Sequence, residues 1–263
     1  MKIISFALIF FFSLCSAQEK AIIIAENLQG TKDFFADDYG NFYFYRSADF
    51  SFTKYDSHGI LSAQLRLTLP FKIQSVQNPL NIPSFSENAQ EMKFFDKNLA
   101  EIQTVKFQQK FGFIKAAYAE DLQQIWLLDS SSRNLIQYHF REEKVLNKFP
   151  LNFDFDEVLD MLVYEKQLFF LFKNKLEIYN FKSEKLAEIA AKNSRKLRRE
   201  NDQILVIGQN AVSQISGNQL TFLFQCEDCQ IVDKNTSSYF AVSGNKLYLY
   251  PLEKRFGGEG KTQ

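Results

Sequence analysis

Residues 32–67 alternate short apolar runs with turn residues, first around Gly40 and then around Gly59. This pattern is typical of four consecutive antiparallel strands joined by tight turns. In residues 41–45, aromatic side chains occupy both faces of the predicted strand, because successive side chains of a strand point to opposite sides. The strand is therefore predicted to be buried on both faces, and a sheet of this kind needs similar sheets packed against it.

The same four-stranded pattern recurs along the chain. The predicted third strands end near Asp56, Asp96, Phe140, Asn180, Ile215 and Pro251. These ends lie about 40 residues apart, which is the length of a propeller blade. The predicted units span residues 28–69, 70–111, 112–151, 152–191, 192–224 and 230–252. The sixth unit is one strand short, and we expect the isolated apolar strand at residues 21–25 to complete it and close the ring.

Two turns carry a resemblance to a known family. The turn into a strand at Gly40-Asn41-Phe42-Tyr43 and the turn containing Asp56, Gly59 and Leu61 resemble those of six-bladed β-propellers of the NHL and YWTD-like kind. The resemblance implies an all-β, six-bladed β-propeller of four-stranded antiparallel blades. A ring of five or seven blades, or a pair of β-sandwiches, is an alternative at this stage.

The N-terminus predicts export. Lys2 precedes an apolar run that ends in small residues before Gln18. This arrangement is typical of a secretory signal peptide cut after Ala17, because a membrane-spanning helix needs about 20 apolar residues. The lipoprotein alternative, with Cys15 acylated, is disfavoured by the bulky Leu14. We therefore expect a signal peptide at residues 1–17, one propeller domain at 18–254, a disordered tail at 255–263, and a periplasmic or secreted protein that does not span a membrane.

Composition narrows the class of partner. The 263-residue chain has 31 Lys and Arg residues against 31 Asp and Glu residues, and 46% of its residues are hydrophobic. A balanced charge supplies no general field that would attract nucleic acid. We expect no nucleic-acid partner and a chain that is monomeric when free.

Few residues suggest chemistry. Cys226 and Cys229 form a Cys-x-x-Cys motif, for which a local disulfide at a turn is favoured over a redox or zinc site. His58 and His139 have no carboxylate or serine at motif spacing and are interpreted as structural or solvent-facing. Acidic pairs such as Asp37-Asp38 fall near predicted turns without the pattern of a calcium loop. We predict no catalytic residue, no metal and no cofactor.

The basic segment at residues 192–199 opens the fifth unit and supplies the weak binding candidates Arg195, Lys196, Arg198 and Arg199. Such a run can dock an acidic partner or lipid head groups, although a solvated loop is the more ordinary interpretation. We predict a non-enzymatic interaction scaffold with a protein partner, for which an envelope, outer-membrane or secretion complex is a candidate. The alternative is a ligand-binding or hydrolytic propeller with a divalent cation in its central channel.

Overall fold

The computed structural model describes residues 20–23, 28 and 30–252. The predicted signal peptide and C-terminal tail lie outside the described residues. The described chain forms six four-stranded antiparallel sheets arranged as the blades of a propeller, so the predicted fold class and blade number are confirmed. No helix among these residues has the length and apolar character needed to span a bilayer.

In blades 1 to 5 the four strands are consecutive in sequence and run from the central channel outward, whereas blade 6 combines three consecutive strands with the N-terminal strand β1 (Lys20–Ile23). Blade 1 comprises β2 (Thr31–Ala36), β3 (Phe42–Arg46), β4 (Ser51–Tyr55) and β5 (Leu61–Arg66). Blade 2 comprises β6 (Lys72–Ile73), β7 (Ile82–Ser86), β8 (Glu91–Phe95) and β9 (Glu101–Lys106). Blade 3 comprises β10 (Ile114–Ala119), β11 (Gln124–Asp129), β12 (Asn134–His139) and β13 (Lys144–Pro150). Blades 4 and 5 comprise β14 (Asp160–Tyr164), β15 (Gln167–Leu171), β16 (Lys175–Asn180), β17 (Lys185–Ala190); and β18 (Ser194–Glu200), β19 (Gln203–Gly208), β20 (Ala211–Ser216), β21 (Gln219–Gln225). Blade 6 comprises β22 (Ile231–Lys234), β23 (Ser238–Ser243), β24 (Lys246–Pro251) and β1 (Lys20–Ile23), and a 3-10 turn at Phe155–Glu157 precedes β14.

The N-terminal strand closes the ring. β1 pairs antiparallel with β24, in the register that places Lys20 opposite Leu249, and so becomes the outer strand of blade 6. Side chains also join blades 6 and 1: Asp233 accepts a hydrogen bond from the backbone N–H of Ala36 at 3.1 Å. The prediction that a terminal strand completes the last blade is confirmed. Pairing β24 removes an exposed sheet edge at the seam of the ring.

The core lies between adjacent blades, as the two apolar faces of β3 predicted. Phe42 and Phe44 pack in a buried cluster with Phe240 of blade 6. Tyr43 and Tyr45, on the opposite face, pack in a second cluster with residues of blade 2. All four aromatic side chains of β3 are buried. Burial of both faces of a blade is what makes the sheets mutually dependent.

Blade 2 departs from the regular pattern. Its inner strand β6 has only two residues. The backbone N–H of Gln74 still donates to the carbonyl oxygen of Pro83 at 2.9 Å, but Pro83 has no N–H to return and the ladder stops. The Gln74 side chain instead bonds the backbone of Ala119 in blade 3, accepting at 2.6 Å and donating at 3.0 Å. Residues 74–81 are thereby released to form a loop.

Candidate functional site

The inner strands of the six blades surround the central channel. We call the face where these strands end the upper face and the face where they begin the lower face. An upper cavity of about 610 Å³ is lined by residues from the ends of inner strands and by the loop at residues 74–81. A lower cavity of about 590 Å³ is lined by residues from the beginnings of inner strands. The channel therefore offers a recess at each face.

Polar contacts cross the channel between the two cavities. Lys72 of blade 2 reaches past blade 3 to Asp160 of blade 4, with Nζ 2.6 Å from Oδ1. The other carboxylate oxygen of Asp160 accepts from the backbone N–H of Leu197 in blade 5 at 2.7 Å. Gln77 of blade 2 donates to the carbonyl oxygen of Arg199 at 2.9 Å. We call the Lys72–Asp160 pair the channel brace, since it links blades that are not neighbours.

The basic segment forms β18, the inner strand of blade 5. The interpretation as a solvated loop is wrong for Lys196 and Arg198, which are buried, although Lys192 and Arg199 are exposed. The reason is topological: the first strand of a blade lines the channel, where charged side chains can meet partners from other blades. The sequence placed this segment at the start of the fifth unit, but the partners lie in blades 6 and 1.

Arg195 and Lys196 are held by those partners. Arg195 pairs with Asp33 of blade 1 and donates to the carbonyl oxygen of Val232 at 2.7 Å. Lys196 donates to the carbonyl oxygen of Phe34 at 2.6 Å and to Asp233 at 3.2 Å. Burial on its own would raise the pKa of Asp33, but the adjacent Lys196 and Arg195 outweigh that effect and hold the pKa below its usual range. These two cations act as ties between blades 5, 6 and 1.

Arg198 and Arg199 both line the upper cavity and differ in their contacts. The guanidinium of Arg199 lies 4.0 Å from the centroid of the Tyr164 ring, and its Nε donates to the carbonyl oxygen of Asn201. The side chain of Arg198 is 7% exposed, and its Nη2 lies 3.7 Å from Oδ1 of Asp38. Within the described chain, Nε and Nη2 of Arg198 have no hydrogen-bond partner.

An apolar groove opens on the upper face between blades 2 and 3. It has a volume of about 400 Å³, and its walls include Leu80, Ile102 and Leu122. These three side chains are 65%, 54% and 51% exposed. The rings of Phe94 and Phe140 stack beneath them with centroids 5.6 Å apart. We call this the blade 2–3 groove.

The groove and the upper cavity are adjacent. Asn78, Asn81 and Leu122 line both. Arg141 stands at the rim of the groove, where its Nε donates to the carbonyl oxygen of Leu122 at 3.0 Å. An apolar groove therefore lies next to a recess that is lined by two arginines.

The remaining candidates lie apart from this surface. Cys226 and Cys229 are joined as a disulfide in the structure, with Cα atoms 5.6 Å apart, beside a small core cluster of blades 5 and 6. His58 lies in an exposed turn, and His139 ends β12, with Nε2 3.2 Å from Oε1 of Gln123. In the part of the chain that the structure describes, no group of three His, Cys, Asp or Glu residues is placed to hold a metal ion. The prediction of no cofactor stays a prediction.

The carboxylate of Asp37 is buried and holds the first turn of blade 1 together. Its carboxylate accepts from the backbone N–H groups of Tyr39 and Asn41 at 2.9 and 2.8 Å. It also accepts from the Asn41 side chain at 2.7 Å and from the Tyr43 hydroxyl at 2.9 Å. These bonds fix the first turn of blade 1, and they explain why an acid occupies a site with no exposure.

Sequence reasoning missed most of the upper-face surface. Leu80, Ile102 and Leu122 come from two loops and a strand start, so no linear spacing connects them. The one available signal in the sequence is the pair of prolines, Pro79 and Pro83, that interrupts the second unit. The channel acids Asp160 and Asp233 each belong to an inner strand, and only the ring brings them together.

Comparisons with known proteins support the fold alone. No family model matches the chain, and no curated protein matches it. Virginiamycin B lyase from Staphylococcus aureus is similar in structure, with a TM-score of 0.54 at 9% identity over 89% of this chain and 99% of that one. A streptogramin B lyase gives 0.52 at 12% identity over 88% and 96%. PorZ of Porphyromonas gingivalis, a surface component of the type-IX secretion system, gives 0.50 at 13% identity, and the match covers 88% of this chain but 33% of PorZ. The chain is thus a six-bladed β-propeller, and membership of the NHL or YWTD-like families stays a prediction.

Proposed function

We propose that this protein is a non-enzymatic interaction scaffold whose blade 2–3 groove binds an extended apolar segment of a partner protein. The observation that carries the proposal is the convergence of Leu80, Ile102 and Leu122, each at least half exposed, on one groove. Exposed apolar side chains that cluster in a concave surface with a polar rim are typical of protein-binding sites. A rigid ring presents such a groove without the entropic cost of ordering it.

The channel charges support a structural role rather than catalysis. Asp160 is bonded to Lys72, and Asp233 to Lys196. Asp33 pairs with Arg195. A divalent cation in the channel would have to compete with these cations of the chain for carboxylate oxygens. The ligand-binding or hydrolytic alternative is therefore the less favoured one, although the two lyases are propellers of similar shape.

We also propose export and an envelope setting. The predicted signal peptide at residues 1–17 supports a periplasmic or secreted location. PorZ, a propeller-containing surface component of a secretion system, is an example of the fold in such an assembly. On this proposal the protein is monomeric when free and serves as an accessory subunit of an envelope or secretion complex.

Site-specific photocrosslinking tests the proposal in the cells that produce the protein. A photoreactive amino acid replaces Leu122 in the groove or, as a control, Leu186 of blade 4, which has the same 51% exposure. We expect a discrete protein adduct from position 122, no such adduct from position 186, and loss of the adduct when Leu80→Asp is added. Absence of an adduct at 122, or the same adducts at both positions, would overturn the proposal.

A further inference from the structure

The upper cavity contains a buried arginine without a matching acceptor. The side chain of Arg198 is only 7% exposed, yet neither its Nε nor its Nη2 makes a hydrogen bond within the described chain. Asp38 lies at ion-pair distance from Nη2 but not at hydrogen-bond distance, and its Oδ1 already accepts from the backbone N–H of Thr236 at 2.9 Å. Buried guanidinium donors are normally paired, because leaving them unpaired destabilises the fold.

The unpaired atoms have a specific chemical preference. Nε–H and Nη2–H form one edge of the planar guanidinium, and such an edge matches the two oxygens of a carboxylate. The structure has no acceptor in hydrogen-bond contact with either atom among the residues it describes. Arg198 lines the upper cavity, but both nitrogens are buried, so a ligand reaches them only when the long arginine side chain moves.

The acids in the cavity wall are engaged elsewhere. Glu120 accepts from the indole N–H of Trp126 at 2.7 Å, and Asp121 accepts from two backbone N–H groups of its own turn. Asp160 is in the channel brace, and Asp233 is bonded to Lys196. Asp233 retains one buried oxygen, Oδ1, without a partner within the described chain. The wall therefore presents an unpaired donor edge and an unpaired acceptor.

A peptide segment carries complements to both, namely a carboxylate and backbone N–H groups. The blade 2–3 groove, which shares three wall residues with the upper cavity, supplies the place for its apolar side chains. We propose that the partner segment bound in the groove places a carboxylate, from an acidic side chain or a chain end, against the Nε–Nη2 edge of Arg198. This inference rests on the proposed function and specifies the chemistry of the partner.

The probes are N-acetyl-leucine and N-acetyl-leucinamide, which differ only in the carboxylate. They are titrated into the isotope-labelled protein and followed by NMR shifts of the Arg198 side chain and of the Leu80 and Leu122 methyl groups. We expect the acid to bind about tenfold more tightly than the amide, because a charge-assisted bidentate contact is replaced by a neutral one. Equal affinity of the two probes would overturn the inference. So would NMR shift changes that are confined to residues other than Arg198, Leu80 and Leu122. Acetate that binds as tightly as N-acetyl-leucine would overturn the part of it that involves the groove.

Variants separate binding from folding. Arg198→Met should abolish the preference for the acid while leaving the melting temperature unchanged or higher, because two buried donors without acceptors are removed and the contact with Asp38 is longer than a hydrogen bond. A marked fall in melting temperature would indicate a structural role and overturn the inference. Arg198→Lys, which keeps the charge but not the planar edge, should also lose most of the preference. Arg66→Met, at a 65% exposed position on the outer strand of blade 1, is the control for losing an arginine away from the cavity, and it should leave the acid preference unchanged.

The two proposals fail in different ways. If the acid and amide bind alike while the photocrosslink at position 122 persists, the scaffold stands and the carboxylate assignment falls. If the crosslink is absent while the acid preference is present, Arg198 binds a carboxylate unrelated to a protein partner. That second result would favour the alternative function, a ligand-binding propeller.

Discussion

The channel brace should contribute measurable coupling to stability. Lys72 Nζ lies 2.6 Å from Asp160 Oδ1 and 2.5 Å from the carbonyl oxygen of Leu159. The side chain of Asp160 is 12% exposed, whereas that of Lys72 is 42% exposed. A hydrogen bond between charged groups is worth about 1.5–3 kcal/mol, and the exposure of Lys72 places the pair near the lower end. We expect a coupling free energy of about 1–2 kcal/mol.

A double-mutant cycle measures this coupling. The variants are Lys72→Met, Asp160→Asn and the two together, compared by urea unfolding at pH 7. Lys72→Met retains the apolar stem, and Asp160→Asn retains an oxygen for the Leu197 N–H. The control is the pair Lys110–Glu143, which is 2.7 Å apart but has side chains 40% and 69% exposed. We expect less coupling there, since exposed pairs contribute about 0.2–1 kcal/mol. Coupling in the brace no greater than in the control would refute the reasoning.

Three further predictions address the rest of the ring. The pKa of Glu177 is lowered to about 2, because hydrogen bonds from Lys175, Lys185 and Tyr179 outweigh the opposing effect of burial. The ionised Glu177 carboxylate should therefore stabilise the fold fully above the ordinary pKa of 4.5, and this stabilisation should be lost as the pH falls toward 2. In acid-unfolding curves, the difference in stability between wild type and Glu177→Gln should narrow over that pH interval. Deleting residues 18–25 should leave β24 as an open edge, lower the melting temperature and cause concentration-dependent association in light scattering, and an unchanged monomer would contradict the closure argument. Cys226 and Cys229 should be recovered as an intramolecular disulfide by mass spectrometry of unreduced exported protein, whereas two free thiols would contradict the prediction.

The blade boundaries were accessible from the sequence, because the information that defines them is local. Alternation of side chains along a strand and turn residues at fixed intervals are properties of short segments, and they predicted the two buried faces of β3 and the four-stranded units. Even the role of the N-terminal strand followed from counting, since blade 6 lacked one strand and one strand was unpaired. The shortening of β6 was missed because it depends on Pro83 facing Gln74 across the sheet.

The candidate site was decided by the tertiary structure. The sequence shows a basic run that contains Arg195, Lys196, Arg198 and Arg199. Only closure of the ring brings Lys196 into hydrogen-bond contact with Asp233 and leaves two nitrogens of Arg198 without an acceptor. The groove residues Leu80, Ile102 and Leu122 are separated in sequence and converge because blades 2 and 3 are adjacent. A repeat sequence specifies each blade through local alternation, whereas channel and face contacts join positions on different blades. Those contacts arise only when the ring closes, which is why the sequence alone determined the scaffold and the tertiary structure determined the surface.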